Sequence, residues 1–284
     1  MSRARTETAW SPATLKGVIA DRSTAATGTV RQTGSMYRVL DLFSGIGGFS
    51  LGLERAGPFR TVAFCETDGY CRAVLRKHWP TVPIHDDVRT IDTDGVGRVD
   101  LVVGGFPCQP WSVAGQKRGA EDDRNLWPAM VALIEDLRPQ WAIIENVRGF
   151  VNQPMGLQRS LSDLEGIGYE AVTFIIPACS VDAPHRRDRV WICARNVADT
   201  DSERPQGVRP DSYTEGRQEP SERPTGLCNG TASAGRWLPE PRFCRVAHGI
   251  RNRVHRLRSL GNAVVPQIVT QIGKAILKAD GPDN

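Results

Sequence analysis

The chain has 284 residues, of which 40% are hydrophobic and 24% charged, and its formal net charge is +4. This composition is that of a soluble protein with one sizeable core, and no apolar run approaches the roughly 20 residues of a membrane span. An apolar signal core is also missing from the N-terminus, so we expect a cytoplasmic protein. The mild positive charge permits a polyanionic partner.

The seven cysteines are odd in number and contain no C-x-x-C pair. We therefore expect neither a disulfide framework nor a metal site. Most of these thiols are interpreted as reduced core residues. Cys108 is the exception, because its neighbours in the sequence are unusual.

Residues 1–36 are rich in Ser, Thr, Ala, Gly and Arg and lack periodicity, which predicts a disordered leader. Met36 directly precedes the first strand-like run and is an alternative start. From Tyr37 onward apolar runs alternate with helical patterns, which predicts parallel βαβ units and an α/β fold. The predicted strands are YRVLDLF, FRTVAFCE, VDLVVGGF and WAIIENV, with AVTFIIPA and RVWICA closing the sheet. The predicted helices are Gly48–Ala56, Tyr70–Trp79, Leu126–Leu137 and Pro266–Leu277.

The character of the chain changes after the last of these strands. Residues 196–240 are rich in Pro, Gly, Ser and charge and offer little to build a core. We interpret them as a small irregular module or an insertion.

A glycine-rich turn stands between the first strand and the first helix. Gly45, Gly47 and Gly48 there let the backbone turn sharply and approach a ligand. Glu66 lies about 20 residues further on, where a carboxylate can accept hydrogen bonds from ribose hydroxyls. Another carboxylate, Asp87, lies in the later segment PIHDDV. The spacing is not G-x-G-x-x-G, which favours a nucleoside ligand smaller than a dinucleotide.

Cys108 lies in the stretch VVGGFPCQPWS, between two prolines at the carboxyl end of a predicted strand. Open α/β sheets bind their ligands at that edge. A free thiol has a pKa of about 8.5, so a nucleophilic cysteine needs an activating environment. The rigid setting favours a nucleophile, and filling of a loop core is the alternative.

Glu145 and Asn146 lie near the carboxyl end of the strand WAIIENV, at the same edge as Cys108. If buried there, the carboxyl of Glu145 would have a raised pKa and could donate a proton; a helix cap or a surface charge is the alternative. Arg187 and Arg189 should share one face of an extended segment, and paired guanidiniums suit a phosphate or a polarised carbonyl. A solvated basic edge strand is the alternative for each arginine, and is our interpretation of Arg186.

Together these motifs resemble the cytosine-5 DNA methyltransferase family. The similar stretches are DLFSGIGGFSLGLERAG, GGFPCQPWS, ENV, HRRDR and LGNAVVP, in the family's order. The resemblance implies a Rossmann-like methyltransferase fold, S-adenosyl-L-methionine as cofactor and double-stranded DNA as substrate. It also implies that a flipped cytosine is methylated at carbon 5 through a covalent cysteine adduct.

The resemblance assigns a role to each matching residue. Catalysis would fall to Cys108, Glu145, Arg187 and Arg189, and the cofactor would be bound by Phe43, Gly45, Gly47, Glu66, Asp87, Leu126 and Asn262. Residues 37–195 would form the catalytic and cofactor-binding domain, 196–244 a short target-recognition region, and 245–284 a segment returning to that domain. We expect a prokaryotic or phage-encoded monomer. It would act either beside a cognate restriction endonuclease or as a stand-alone phage or prophage enzyme.

Two departures from the family pattern leave alternatives open. His185 replaces the usual Gln of the basic motif, and residues 196–244 are short for a recognition domain, although an arginine stripe between Arg242 and Arg258 suits phosphate contacts. An RNA methyltransferase of the same family is therefore one alternative, and a non-catalytic DNA-binding relative is another. The glycine spacing disfavours a third, a nicotinamide oxidoreductase.

Overall fold

The computed structural model describes residues 36–107, 125–153, 156–197 and 253–281. Within those ranges the strands form one seven-stranded sheet in the order β3-β2-β1-β4-β5-β7-β6. The strands are β1 (Tyr37–Leu42), β2 (Phe59–Cys65), β3 (Ile84–His85), β4 (Leu101–Gly104), β5 (Trp141–Val147), β6 (Tyr169–Ile176) and β7 (Arg189–Asn196). The predicted leader, apart from Met36, and nearly all of the predicted recognition region lie outside the described residues.

The helices in the described ranges alternate with these strands as far as β6. They are α1 (Gly48–Ala56), α2 (Gly69–His78), α3 (Thr93–Val96), α4 (Trp127–Leu137), α5 (Leu157–Gly166), α6 (Arg253–Asn262) and α7 (Pro266–Ala279). None of the described helices has both the length and the apolar character needed to cross a bilayer.

The sheet is mostly parallel, which confirms the predicted α/β class. Strand β1 pairs in parallel with β2 and β4, and β5 pairs in parallel with β4. Strand β7 runs antiparallel to both of its neighbours, β5 and β6. The last two predicted strands, β6 and β7, therefore do extend the sheet. Strand β7 lies between β5 and β6, and β6 forms the edge.

The core has one part on each face of the sheet, because alternate residues of a strand point to opposite faces. On one face Val39, Leu53 and Ile272 join β1 to α1 and α7. On the other, Leu40 and Ile134 belong to the cluster that contains α4 and part of α5. The layers are thus helix, sheet and helix, as expected for a sheet with βα crossovers.

Helices α1 and α7 approach closely at glycines. A Cβ atom added to Gly52 would lie 2.5 Å from the Cβ of Val269 and 2.6 Å from the carbonyl oxygen of Pro266. Gly273 on α7 similarly faces Ala56 of α1. The C-terminal helix is thereby packed against the helix that follows the glycine-rich turn.

The sequence did not predict every element. The short strand β3 and helices α3, α5 and α6 were missed, whereas the bounds of α1 and β5 agree with the prediction. Helix α6 shows why a helix can be missed. Its apolar residues Val254, Leu257 and Leu260 are exposed, whereas the polar Ser259 is buried. An apolar pattern cannot reveal a helix whose apolar residues are not the buried ones.

The close approach of α1 and α7 predicts a specific loss of stability. Gly52→Ala should lower the free energy of unfolding by about 1–3 kcal/mol, because the methyl group would overlap Val269 and the Pro266 carbonyl. Gly166→Ala on α5 is the matched control: its Cβ would have no atom within 4 Å, and the change should be neutral or slightly stabilising. Urea denaturation of both variants measures the difference, and equal stabilities would contradict the packing described.

Candidate active site

The strand order brings several of the predicted site residues, among those that the structure describes, to one edge of the sheet. The chain leaves β1 toward β2 and β3 on one side, and β4 and β5 lie on the other side of β1. Such a switch point leaves a crevice at the carboxyl ends of the strands. The glycine-rich turn after β1 and the loop after β4 border this crevice.

The glycine-rich turn adopts a conformation that favours glycine. Gly45 has a φ of 54° and Gly47 a φ of 83°, and a Cβ on Gly47 would lie 2.5 Å from the ring of Trp79. Phe43, half-buried just before the turn, also has a positive φ of 53°. The backbone between β1 and α1 therefore turns tightly, leaving its amide groups near the crevice.

Glu66 ties this turn to the end of β2. Its Oε2 accepts a hydrogen bond of 2.7 Å from the backbone N–H of Gly45, and its Oε1 accepts one of 2.8 Å from that of Asp68. A carboxylate has about four acceptor positions, so two remain for a ligand hydroxyl. The glycine-rich turn and Glu66, which the sequence assigned to a common ligand, are thus also in direct contact with each other.

Beneath the turn lies a buried polar network that sequence reasoning missed. Asp41, fully buried in β1, accepts hydrogen bonds from the N–H and the hydroxyl of Ser50, and Thr61 donates to that same hydroxyl. Burial raises the pKa of Asp41 to about 7. The available signal was an acidic residue in the middle of the apolar run YRVLDLF.

The other predicted cofactor residues lie on or next to three separate elements. Asp87, after β3, accepts hydrogen bonds from the side chain of Arg89 at 2.6 to 3.1 Å, and these hold its pKa at about 2. Leu126 is half-buried at the start of α4, and Asn262 is exposed at the end of α6. Asp87 is thus an ionised acceptor that any ligand would share with Arg89.

Glu145 is the buried acid that the sequence predicted. Only 8% of the residue is exposed, and its Oε1 lies 2.9 Å from the Nε of Arg189. Burial raises the pKa of Glu145 to about 7, although the guanidiniums of Arg189 and Arg187 oppose the shift. The carboxyl can therefore exist in both protonation states near neutral pH.

The loop that leads to Cys108 is held against Glu145 and its neighbour. A Cβ on Gly105 would lie 2.9 Å from the Oε2 of Glu145, so the backbone of the loop passes close to this carboxyl. The side-chain amide of Asn146 donates a hydrogen bond of 3.3 Å to the carbonyl of Phe106. Cys108 itself lies outside the described residues, which end at Pro107 before this gap.

Sequence reasoning also missed this role of Asn146. Its position next to Glu145, at the same strand end, was the only available signal. The structure adds that its amide fixes the backbone two residues before Cys108.

The two arginines of the basic motif do not share one extended face, which corrects the prediction. Strand β7 begins only at Arg189, and Arg187 has a φ of 41°. Arg189 reaches Glu145, whereas the Nη2 of Arg187 donates to the carbonyls of Gly261 and Ala263 at 2.5 and 3.0 Å. The positive φ breaks the two-residue alternation on which the prediction depended.

Asp188, between those arginines, connects two further guanidiniums. Its Oδ2 lies 3.0 Å from Nη1 of Arg148, and its Oδ1 lies 3.0 Å from Nε of Arg186. Arg186 is thus ion-paired rather than simply solvated. The described ranges contain no group of three or more His, Cys, Asp or Glu side chains that could hold a metal ion.

Comparisons with known proteins agree with this geometry. A family model described as C-5 cytosine-specific DNA methylase matches residues 37–222. The Type II methyltransferase M.HgiBI of Herpetosiphon aurantiacus is 36% identical over 160 residues, covering 55% of this chain and 36% of that protein. M.PspPI of a Psychrobacter strain is 39% identical over 162 residues, covering 55% and 39%. The chain therefore matches well under half the length of these relatives.

Solved structures share the fold. A DNMT2 mutant of Spodoptera frugiperda superposes with a TM-score of 0.51 and 22% identity, over 62% of this chain and 56% of that one. The Dnmt2 methyltransferase of S. pombe gives 0.50 and 22%, over 58% and 53%.

The raised pKa of Glu145 predicts a pH dependence of stability. Between about pH 4.5 and 7 the folded protein keeps a proton that the unfolded chain has lost, so the free energy of unfolding falls as pH rises through this window. Glu145→Gln should remove the contribution of Glu145 to this fall in the free energy of unfolding, which is about 3 kcal/mol. Urea denaturation from pH 4.5 to 8 measures it, and parallel curves for the native protein and the variant would contradict the assignment.

Proposed function

The chain belongs to the C-5 cytosine-specific DNA methylase family, and on that premise we propose that it transfers a methyl group from S-adenosyl-L-methionine to carbon 5 of cytosine in double-stranded DNA. One observation carries the proposal most directly. A buried carboxyl with a pKa of about 7 is paired with Arg189 and packed against the loop that leads to Cys108. This supports Glu145 as the proton donor in a reaction in which Cys108 would be the nucleophile.

The residues around the glycine-rich turn fit S-adenosyl-L-methionine, which supplies an electrophilic methyl group when bound. Glu66 keeps two acceptor positions for the ribose hydroxyls after its two backbone contacts. Gly45 has no Cβ to obstruct the methionine part, and Phe43 would stack near the adenine. Asp87 would accept from the adenine amino group. Leu126, Gly47 and Asn262 would complete the pocket.

In the proposed reaction Cys108 acts as the nucleophile. Its thiolate forms a bond to carbon 6 of cytosine, and the electron pair of the carbon 5–carbon 6 double bond becomes available at carbon 5. Glu145 holds a proton at ring nitrogen 3 and so offsets the negative charge that develops. Arg189, which lies 2.9 Å from Glu145, would orient that carboxyl and hold the base oxygen.

Carbon 5 would then take the methyl group as its bond to the sulfonium sulfur breaks, with S-adenosyl-L-homocysteine as the leaving product. Loss of the carbon 5 proton to a base restores the double bond as the carbon–sulfur bond breaks and Cys108 leaves. Attack on carbon 6 comes from above the ring plane, which neighbouring bases cover inside a duplex. The cytosine must therefore be flipped out of the stack before the reaction.

We extend the proposal to the biological setting through the relatives, which are named Type II methyltransferases. The methylation would protect a DNA sequence from a cognate restriction endonuclease, and the protein would act as a monomer. Reading of that sequence is assigned to residues 196–244, and this remains a prediction because those residues, apart from 196 and 197, lie outside the described ranges.

Methyl transfer from labelled S-adenosyl-L-methionine to mixed-sequence duplex DNA tests the proposed function. The native protein should produce labelled 5-methylcytosine, and Cys108→Ser should produce none, because a hydroxyl is a much weaker nucleophile at neutral pH. Glu145→Gln should lower the rate by about 10²–10⁴-fold, since the amide cannot supply the proton. Label on RNA instead of DNA would favour the RNA alternative, and label with Cys108→Ser would exclude the cysteine adduct.

The cofactor site is tested separately by calorimetric titration with S-adenosyl-L-homocysteine. Glu66→Gln should weaken binding by about tenfold or more, because a charge-assisted hydrogen bond to the ribose is lost. Glu165→Gln, an exposed change on α5, is the matched control and should bind as the native protein does. Equal affinities in all three proteins would remove Glu66 from the site.

A further inference from the structure

The two arginines of the HRRDR segment point to different parts of the molecule. Arg189 lies against the buried acid Glu145, with 2.9 Å between Nε and Oε1. Arg187 donates from a single nitrogen to the carbonyls of Gly261 and Ala263. Two residues that the sequence treats as a pair therefore have separate partners.

The backbone conformation of this segment directs the side chains of Arg187 and Arg189 to different partners. Arg187 has a φ of 41°, a conformation that costs a non-glycine residue energy and persists only where its surroundings enforce it. Asp188, the next residue, is held by Arg148 and Arg186 on one side of the segment. Strand β7 and its regular alternation start only at Arg189.

The partners of Arg187 lie on both sides of Asn262, which our proposed function places in the cofactor pocket. The carbonyls at the end of a helix lack intrahelical partners and attract a cation, and Gly261 is in the last turn of α6. Arg187 is partly buried, and burial lowers its pKa. The guanidinium thus fixes the backbone of the α6–α7 connection.

That connection packs directly on the glycine-rich turn. A Cβ on Gly48 would lie 2.8 Å from Cγ2 of Val264 and 3.2 Å from its carbonyl oxygen, so the two backbones are in close contact. Arg187 therefore binds the carbonyl of Ala263, and the next residue, Val264, contacts Gly48 at the start of α1. Gly47, which precedes Gly48, belongs to the glycine-rich turn. These contacts connect Arg187 to the glycine-rich turn, which borders the proposed cofactor site.

We propose that Arg187 is a positioning residue of the cofactor site, acting through the Gly261–Ala263 backbone, whereas Arg189 serves the target base through Glu145. This inference rests on the proposed function, because it assigns the two arginines to its two substrates. It replaces the simpler expectation that both guanidiniums hold the base or a phosphate.

The experiment compares Arg187→Met with Arg189→Met in methyl transfer kinetics and in calorimetric binding of S-adenosyl-L-homocysteine without DNA. Arg187→Met should raise the KM and Kd for the cofactor by about tenfold, with kcat within about threefold at saturating cofactor, because only charge-assisted contacts to the backbone are lost. Arg189→Met should lower kcat by about a hundredfold and leave the cofactor Kd unchanged, since it acts on Glu145.

Two further variants keep the test decisive. Arg187→Lys retains the charge and can reach a carbonyl, so it should recover part of the cofactor affinity. It also replaces Arg187→Met in the test if the methionine variant does not fold. Arg159→Met removes an exposed arginine that is ion-paired with Asp163 on α5, and should change neither constant. A general loss of stability would not produce this separation of KM from kcat.

The inference is overturned if both Arg187 variants keep the native cofactor Kd, or if Arg187→Met lowers kcat as Arg189→Met does. Native protein that transfers methyl groups in either case leaves the proposed function intact. Native protein that binds no cofactor and transfers no label overturns the proposed function and this inference together.

Discussion

The antiparallel pairing of β7 with β5 is the constraint on which the candidate site depends. Glu145 lies near the carboxyl end of β5, and the register places Val147 opposite Arg189, the first residue of β7. An antiparallel neighbour starts where a parallel strand ends, so the basic segment reaches the crevice without a further crossover. A parallel β7 would have placed Arg189 at the opposite edge of the sheet.

This pairing also sets the electrostatics of the crevice. Glu145 is desolvated enough to hold a proton near neutral pH, yet its contact with Arg189 keeps the ionised form accessible. A buried carboxylate without a cation would be far costlier to ionise. On the other side of β4, Asp41 is a second buried carboxyl, and its hydrogen bonds with Ser50 support the turn after β1. Two desolvated acids thus lie under the two loops that border the crevice.

Much of the fold could be predicted from the sequence, because buried parallel strands are continuous apolar runs and their helices have clear periodicity. Strand β5 and helix α1 were predicted with their observed bounds. Helix α6 was missed because Val254 and Leu257 on it are exposed, and β3 is too short to give a pattern. At the site, the placement of Glu66 and Glu145 at one edge of the sheet followed from their position at the carboxyl ends of strands. The contacts of Asn146 and Asp41 did not.

The sequence by itself determined most of the elements, the edge of the sheet at which the chemical groups lie and the family motifs, since these depend on local periodicity and on the order of residues. Only the tertiary structure decided which groups touch. Arg187 and Arg189 have different partners because Arg187 has a positive φ and binds carbonyls that lie 74 and 76 positions away in the chain. The pKa of Glu145 likewise depends on burial by several strands and loops, because desolvation is a property of the packed molecule rather than of the residue.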